Sequence, residues 1–254
     1  QILNQTAVRL LVLAFALGAM ACQKTPVASA AGEAPRQATH ECRYTVEAPL
    51  IDGSAAEPAW QKARPAAFVI PKTWAAPAEP TEARLLWDER NLYIAFQAKD
   101  SDLFATLTAR DDSIWDEDTV EIFFKTDPTK DAYYEFEWTP LGTVYDSFIG
   151  KRNAAKQPLR WNRWTCQGLR SACTVKGTLN NWQDRDEEYT VEVAIPFASL
   201  TGGTPSAGAT WLCNLARNNY SVHLTNGIEQ SSAANLSLVN FHRYEDWALL
   251  TFVR

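Results

Sequence analysis

From residue 42 almost to its end this chain alternates between apolar and polar side chains with a period of two, which leaves little room for anything but strands. The run TVEIFF (residues 119–124) is one example, and YYEFEW (133–138) and YTVEVAI (189–195) are others. The same pattern marks CRYTV (42–46), ARLLW (83–87), LYIAFQAK (92–99), TVYDSF (143–148), ACTVKGTL (172–179), WLCNLARN (211–218) and WALLTFV (247–253). Turn-forming groups such as WDERN, DPTKD and TGG separate the runs. About ten short strands with almost no helical periodicity predict an all-β fold, an antiparallel β-sandwich of the jelly-roll kind. IPFASL, after the strand at residue 189, predicts one helical turn. No internal repeat is visible, so residues 41–254 read as one domain. Its 10 Trp, 8 Tyr and 11 Phe supply a substantial core.

The N-terminal part obeys different rules. Arg9 precedes an apolar run of 12 residues, Leu10 to Ala21, too short for a bilayer and of the length of a signal-peptide core. Residues 1–22 therefore read as a signal peptide. It ends in ALGAMAC, which resembles a bacterial lipoprotein cleavage site, with Cys22 as the lipid-bearing residue. Ordinary secretion with cleavage nearby is the alternative. Gln23 rather than Asp after the cysteine points, in a Gram-negative host, to the outer membrane or cell surface. Residues 23–40 are rich in Ala, Pro, Ser and Thr. Such a segment buries too little apolar area to offset its ordering entropy and reads as a flexible linker. The expected protein is a monomer whose only membrane contact is a lipid anchor. Its formal charge of −6 and lack of a Lys/Arg cluster exclude nucleic acid as a partner.

Cys42, Cys166, Cys173 and Cys213 remain. Four cysteines in an exported protein predict two disulfides, with three ways to pair them. Cys166 and Cys173 flank a short local loop, which leaves Cys42 for Cys213; free buried thiols are the alternative. No CxxC, HExxH or G-x-S-x-G occurs, and His40, His223 and His242 are scattered. No cofactor is expected.

Six segments then fall into a recognisable order: PLIDGSAAEPAW (49–60), ARLLWDERNLYIAFQAKD (83–100), WDEDTVEIFFKTDP (115–128), YYEFEWTPLGTVYD (133–146), YTVEVAIPFASL (189–200) and RYEDWALLTF (243–252). In this order the chain resembles carbohydrate-binding module family 9 and its larger family-9-like group, from about residue 44 to its end. The resemblance implies a jelly roll that binds saccharides without cleaving them. In the family's xylanase modules two aromatic rings grip a sugar, often at a chain's reducing end. One ring is a Trp six residues before the Glu of the VEIF strand; here these are Trp115 and Glu121. The second stands six residues before an aromatic near the last strand. Counting back from Trp247 gives Phe241, where the xylanase modules have Trp. His242 beside it would line the site, and Glu137 stands near the position of a clamp arginine. The resemblance also implies structural calcium, for which no DxDxDG spacing identifies ligands.

Elementary physics makes the same stretch unusual. Alternation puts Thr119, Glu121 and Phe123 on one face of the strand and Val120, Ile122 and Phe124 on the other. A glutamate on so apolar a strand must be paired, hydrogen-bonded or turned to a polar cavity. A saccharide site offers one: carboxylates accept from hydroxyls, and a tryptophan plane packs against a sugar's C–H face. The acids around Trp115, from Asp111 to Asp118, read as groups that keep its loop solvated. Glu135 and Glu137 share one face, about 7 Å apart on strand geometry, and read as solvent-facing residues alternating with core aromatics. A glycoside hydrolase pairing Glu121 with Glu135 or Glu137 is a second reading. Haem binding is a third, weakened because Met20, the only Met, lies in the leader.

Overall fold

Each of the ten alternating runs forms a strand, and two short strands join them. The computed structural model describes residues 36–152 and 164–254, so the leader, Cys22 and most of the linker lie outside the described residues. The strands are β1 (Thr39–Tyr44), β2 (Ala66–Ala67), β3 (Thr81–Trp87), β4 (Asn91–Lys99), β5 (Thr119–Lys125), β6 (Tyr133–Trp138), β7 (Val144–Ile149), β8 (Arg170–Lys176), β9 (Glu188–Pro196), β10 (Thr210–Tyr220), β11 (Ile228–Ser232) and β12 (Ala248–Val253). No sequence signal marks β2, which has two residues, or β11, whose IEQSS is polar after Ile228. The predicted turn in IPFASL is a 3-10 turn at Phe197–Ser199. One five-residue helix, α1 (Pro58–Lys62), was not anticipated.

Hydrogen bonding joins the strands in the order β7-β6-β5-β10-β12-β1-β3-β4-β9-β8, with β11 on β10 and β2 on β3. This continuous sheet curls until its two arms face each other. Phe96 of β4 meets Trp138 of β6, ring centroids 6.3 Å apart, and Cys173 Sγ of β8 reaches Pro140 O after β6 at 3.1 Å. The result is a β-sandwich whose core takes Val120, Ile122 and Phe124 from one arm and Ile94, Phe96, Val191 and Val193 from the other. The expectation of a purely antiparallel sheet is corrected at one strand. β1 runs parallel to both neighbours, Cys42 opposite Phe252 and Arg43 opposite Leu86. It starts at Thr39, so the last linker residues pair with β12 through backbone groups that need no apolar side chain.

The expected disulfides are not formed; all four cysteines are free thiols. Cys42 and Cys213 lie on opposite sides of β12, facing Phe252 and Ala248 respectively, so a strand separates them. Cys173 turns to the Pro140 carbonyl rather than to Cys166. The curl is held by polar ties. Arg217 of β10, 1% exposed, donates to Asp100 Oδ2 (2.9 Å), Lys99 O (2.7 Å) and Thr81 Oγ1 (3.0 Å) across the sandwich. In the 49–60 segment, Glu192 of β9 accepts from Trp60 Nε1 (2.8 Å) and from Gly53 N (2.7 Å). Gly53 has a φ of 85°, and a Cβ there would stand 2.9 Å from the Cys173 carbonyl carbon; only glycine fits.

Candidate functional site

All seven residues of β5 are buried, yet only the face with Val120, Ile122 and Phe124 packs between the two arms. The other, with Glu121 and Phe123, floors a basin of 620 Å³ on the outside of the arm. Register assembles the rest. β6 sets Glu137 opposite Glu121 and Glu135 opposite Phe123. β10 brings Asn218 alongside, β7 contributes Tyr145 and Ile149, and the loop before β12 adds Phe241 and His242. Trp115, Glu121, Glu137, Phe241 and His242, five residues scattered over the sequence, thus line one concavity.

The loop that carries Trp115 is built by its acids. Asp118, fully buried, accepts from Phe104 N (2.7 Å) and Tyr220 N (2.6 Å). Glu117 Oε1 accepts from Thr106 N (2.8 Å) and Leu107 N (3.0 Å). These two side chains fasten backbone that no strand satisfies; they do not solvate the loop as expected. Between them and Ser113 a single 3-10 turn, Ile114–Asp116, sinks Ile114 and lifts Trp115 to the rim. The indole is 41% exposed, standing edge-on to Tyr145 with centroids 5.5 Å apart. Tyr220 OH donates to the Trp115 carbonyl at 3.3 Å. Phe241 differs from the expected open ring. It is 8% exposed and leans on Phe123, while its carbonyl accepts from Trp247 Nε1 at 2.7 Å. It is a wall backed by core rather than a free plate.

On the floor, Glu121 Oε1 accepts from Asn218 Nδ2 (2.7 Å) and Thr119 Oγ1 (3.1 Å). Gln230 Nε2 in turn donates to Asn218 Oδ1 (2.7 Å) and fixes that amide. Glu135 and Glu137, expected to face solvent, are 6% and 1% exposed. Both faces of β6 are covered, one by core and one by basin walls, so alternation alone could not tell basin from solvent. One oxygen from each of Glu121, Glu135 and Glu137 lies within 4.8 Å of the others. Glu137 Oε2 is buried without a hydrogen-bond partner.

Little positive charge offsets them. Arg152, at the basin edge, is engaged by both carboxylate oxygens of Glu245 at 2.6 Å. The His242 ring hydrogen-bonds Tyr133 OH through Nδ1 (2.9 Å) and stands 3.7 Å from Glu135. Burial and the nearby Arg152 charge lower its pKa, so it is neutral at pH 7. Burial pushes Glu121 up to about 8. Burial first, then the Glu121 charge, does the same for Glu135, to about 8, and burial with both neighbours raises Glu137 well above the carboxylate range. At neutral pH the floor therefore keeps protons, and its carboxyls both donate and accept. These hard oxygens also fit a cation such as calcium by type and spacing.

Sequence reasoning missed Tyr133, Tyr145, Asn218 and Gln230, and it named Glu135 only as a hydrolase partner of Glu121, not as part of a basin floor. Only the antiparallel pairing of TVEIFF with YYEFEW, which stacks acid against acid, could have signalled the last.

Comparison with known proteins identifies the family and the fold. Residues 51–234 match the family described as carbohydrate family 9 binding domain-like. An extracellular protein of Arthroderma benhamiae is 28% identical over 149 residues, 56% of this chain and 64% of that protein. Endo-1,4-beta-xylanase A of Thermoanaerobacterium saccharolyticum is 27% identical over 176 residues, 67% of this chain but 12% of the xylanase. The chain thus spans less than two thirds of each of these relatives. Among solved structures, a family 9 carbohydrate binding module of Caldicellulosiruptor kristjanssonii in complex with cellotriose superposes with a TM-score of 0.57. It covers 85% of this chain and 93% of that one at 14% identity, a likeness of fold.

The buried acids have a pH signature. The unfolded chain loses these protons as pH rises past the ordinary carboxylate pKa of about 4.5, while the folded protein retains those of Glu121 and Glu135 to about 8 and holds that of Glu137 well above the usual range. Stability therefore falls with rising pH across that window. Glu137→Gln removes one such group, so its melting temperature should equal wild type near pH 4 and exceed it near pH 8.5. Calorimetric melts across the range check this; a gap that does not change with pH contradicts it.

Proposed function

The chain belongs to the carbohydrate family 9 binding domain-like family, and on that premise we propose that it is a non-catalytic saccharide-binding module whose ligand lies in the basin over Glu121, Glu135 and Glu137. One observation carries the reading: an exposed tryptophan stands beside a buried floor of three clustered carboxyl groups. A sugar is the ligand that needs both, since its ring has an apolar C–H face and a rim of hydroxyls that donate and accept. Trp115 offers the plane, with Tyr145 and Tyr220 fixing its angle. Glu121, already oriented by Asn218 and Gln230, accepts from hydroxyls. The xylanase relative and the cellotriose-bound module favour a glucose- or xylose-based glycan as the ligand class. The same three carboxylates are the ones that would hold calcium.

The floor argues for binding over hydrolysis. Glycosidases place two carboxyls on opposite sides of the scissile bond, about 5–5.5 Å apart in retaining enzymes and about 6.5–9.5 Å in inverting ones. Here three gather on one floor, one oxygen of each within 4.8 Å of the others, rather than standing as a pair on opposite sides of a cleft. The extracellular relative supports export, and ALGAMAC supports lipid attachment at Cys22 as the means of holding the module at a membrane surface. Cys22→Ser should abolish lipid labelling of the full chain; unchanged labelling rules the anchor out.

Calorimetry with glucose, xylose and their β-1,4 oligosaccharides tests the basin. Trp115→Ala should cost more than about 2 kcal/mol, some thirtyfold in affinity. Glu121→Gln should cost about 1–3 kcal/mol, by replacing a carboxyl that both donates to and accepts from sugar hydroxyls with an amide whose NH2 can only donate. The Trp115 variant should melt like wild type, because the indole sits at the rim. A Trp115→Ala protein that melts far lower yet binds sugar normally would make Trp115 a core residue and end the proposal.

A further inference from the structure

A second groove, of 400 Å³, adjoins the basin. Tyr220, the last residue of β10, lines both and forms the ridge between them. On the far side stand Phe104, Trp182 and Val222, which are 37%, 63% and 61% exposed. So large an indole turned to water, next to two more apolar side chains, is the kind of exposed patch that marks a contact surface. Among the described residues, none accepts a hydrogen bond from the Trp182 indole N–H.

The walls of this groove are tied down. Asn180 donates from its backbone N–H to Leu103 O (2.8 Å) and from Nδ2 to Ala105 O (2.8 Å), and its Oδ1 accepts from Ala105 N (3.0 Å). It holds a left-handed backbone, φ 63°, which asparagine tolerates better than most residues. Asp186 accepts from Leu103 N (2.8 Å) and Thr178 N (2.6 Å), joining the segment before Trp182 to the segment of Phe104. Asp102 Oδ2 accepts from Val222 N at 2.8 Å and ties down the third wall. A platform held this way loses little entropy when something packs on it. A further depression, which shares Gln230 and Val239 with the basin, is lined by no aromatic ring among the described residues. Any continuation that uses stacking therefore runs one way, past Tyr220.

We propose that the saccharide extends from the basin over Tyr220 into this groove, where Trp182 stacks a further sugar ring. The inference rests on the basin reading and adds a chain-length requirement to it. The module then holds a stretch of glycan rather than a single sugar, with Trp115 and Trp182 as stacking planes on the two sides of the Tyr220 ridge. The groove's occupant is a later unit of the chain seated in the basin, because the two concavities share a wall.

The test is calorimetry of wild type, Trp182→Ala and Trp115→Ala against glucose, cellobiose, cellotriose and cellopentaose, with xylose and xylo-oligosaccharides in parallel. Wild-type affinity should rise by about tenfold or more from monosaccharide to the longer chains, the scale of one added aromatic contact. Trp182→Ala should keep the monosaccharide affinity and the wild-type melting temperature and lose the rise. Trp115→Ala should weaken every member of the series. A wild-type affinity that does not grow with length, or a rise that survives in Trp182→Ala, overturns the extended site and leaves the basin reading standing. No binding by wild type to any member overturns the basin reading, and the extension falls with it.

Discussion

The basin depends on the register of β5 between β6 and β10. Because side chains alternate, a slip of one residue would turn Val120, Ile122 and Phe124 into the basin and drive Glu121 into the core. That register is specified by packing. Phe124 stacks on Phe136 of β6 and on Trp211 of β10, with centroids 5.8 Å and 5.2 Å away. The core face is thus an aromatic lock, and what it locks is the placement of Glu137 opposite Glu121. The acids are brought together by the apolar residues between them.

Such a floor works against stability. Carboxyls removed from water, facing one another and short of basic partners, hold protons they would otherwise release, and an orphaned oxygen on Glu137 adds its own desolvation cost. A fold bears this where function requires it and makes up the difference elsewhere. Here the remainder of the sandwich supplies it. The crossing ties of Arg217 pair a fully buried cation with Asp100 through its terminal nitrogens, leaving only Nε without a partner among the described residues, Glu192 closes the 49–60 segment, and the Trp115 loop is fastened by buried acids. The molecule spends carboxylates in two ways: Glu117, Asp118 and Glu192 satisfy backbone and indole N–H groups, while Glu121, Glu135 and Glu137 are left facing the space a ligand would fill.

Much of this was legible in the sequence, and the limits have physical causes. Strands with alternating faces were plain, so YYEFEW ran from Tyr133 to Trp138 as read. The polar strand Ile228–Ser232 carried no alternation to detect. The parallel pairing of β1 is a non-local property, decided by which two strands leave a gap. Cysteine count could not reveal that β12 stands between Cys42 and Cys213. For the site, Glu121 stood out because an acid in an apolar strand demands a reason. Glu137 was named through the family resemblance, but alternation itself left Glu135 and Glu137 reading as solvent-facing, because alternation with Tyr134 and Phe136 looks the same whether the second face meets solvent or a walled basin. Trp115 and Phe241 were implied by the family resemblance, which fixes their positions along the chain and does not report exposure. One is an open plane and the other a buried wall.

The central claim is that a saccharide sits on the Glu121, Glu135 and Glu137 floor with its C–H face against Trp115. Determining the structure of the described domain with a bound oligosaccharide tests this most directly. The account predicts a sugar ring parallel to the Trp115 indole, with hydroxyl oxygens within about 3.2 Å of Glu121 and at least one other floor carboxyl. A saccharide bound elsewhere, with Trp115 still packed on Tyr145 and the floor untouched, would contradict it.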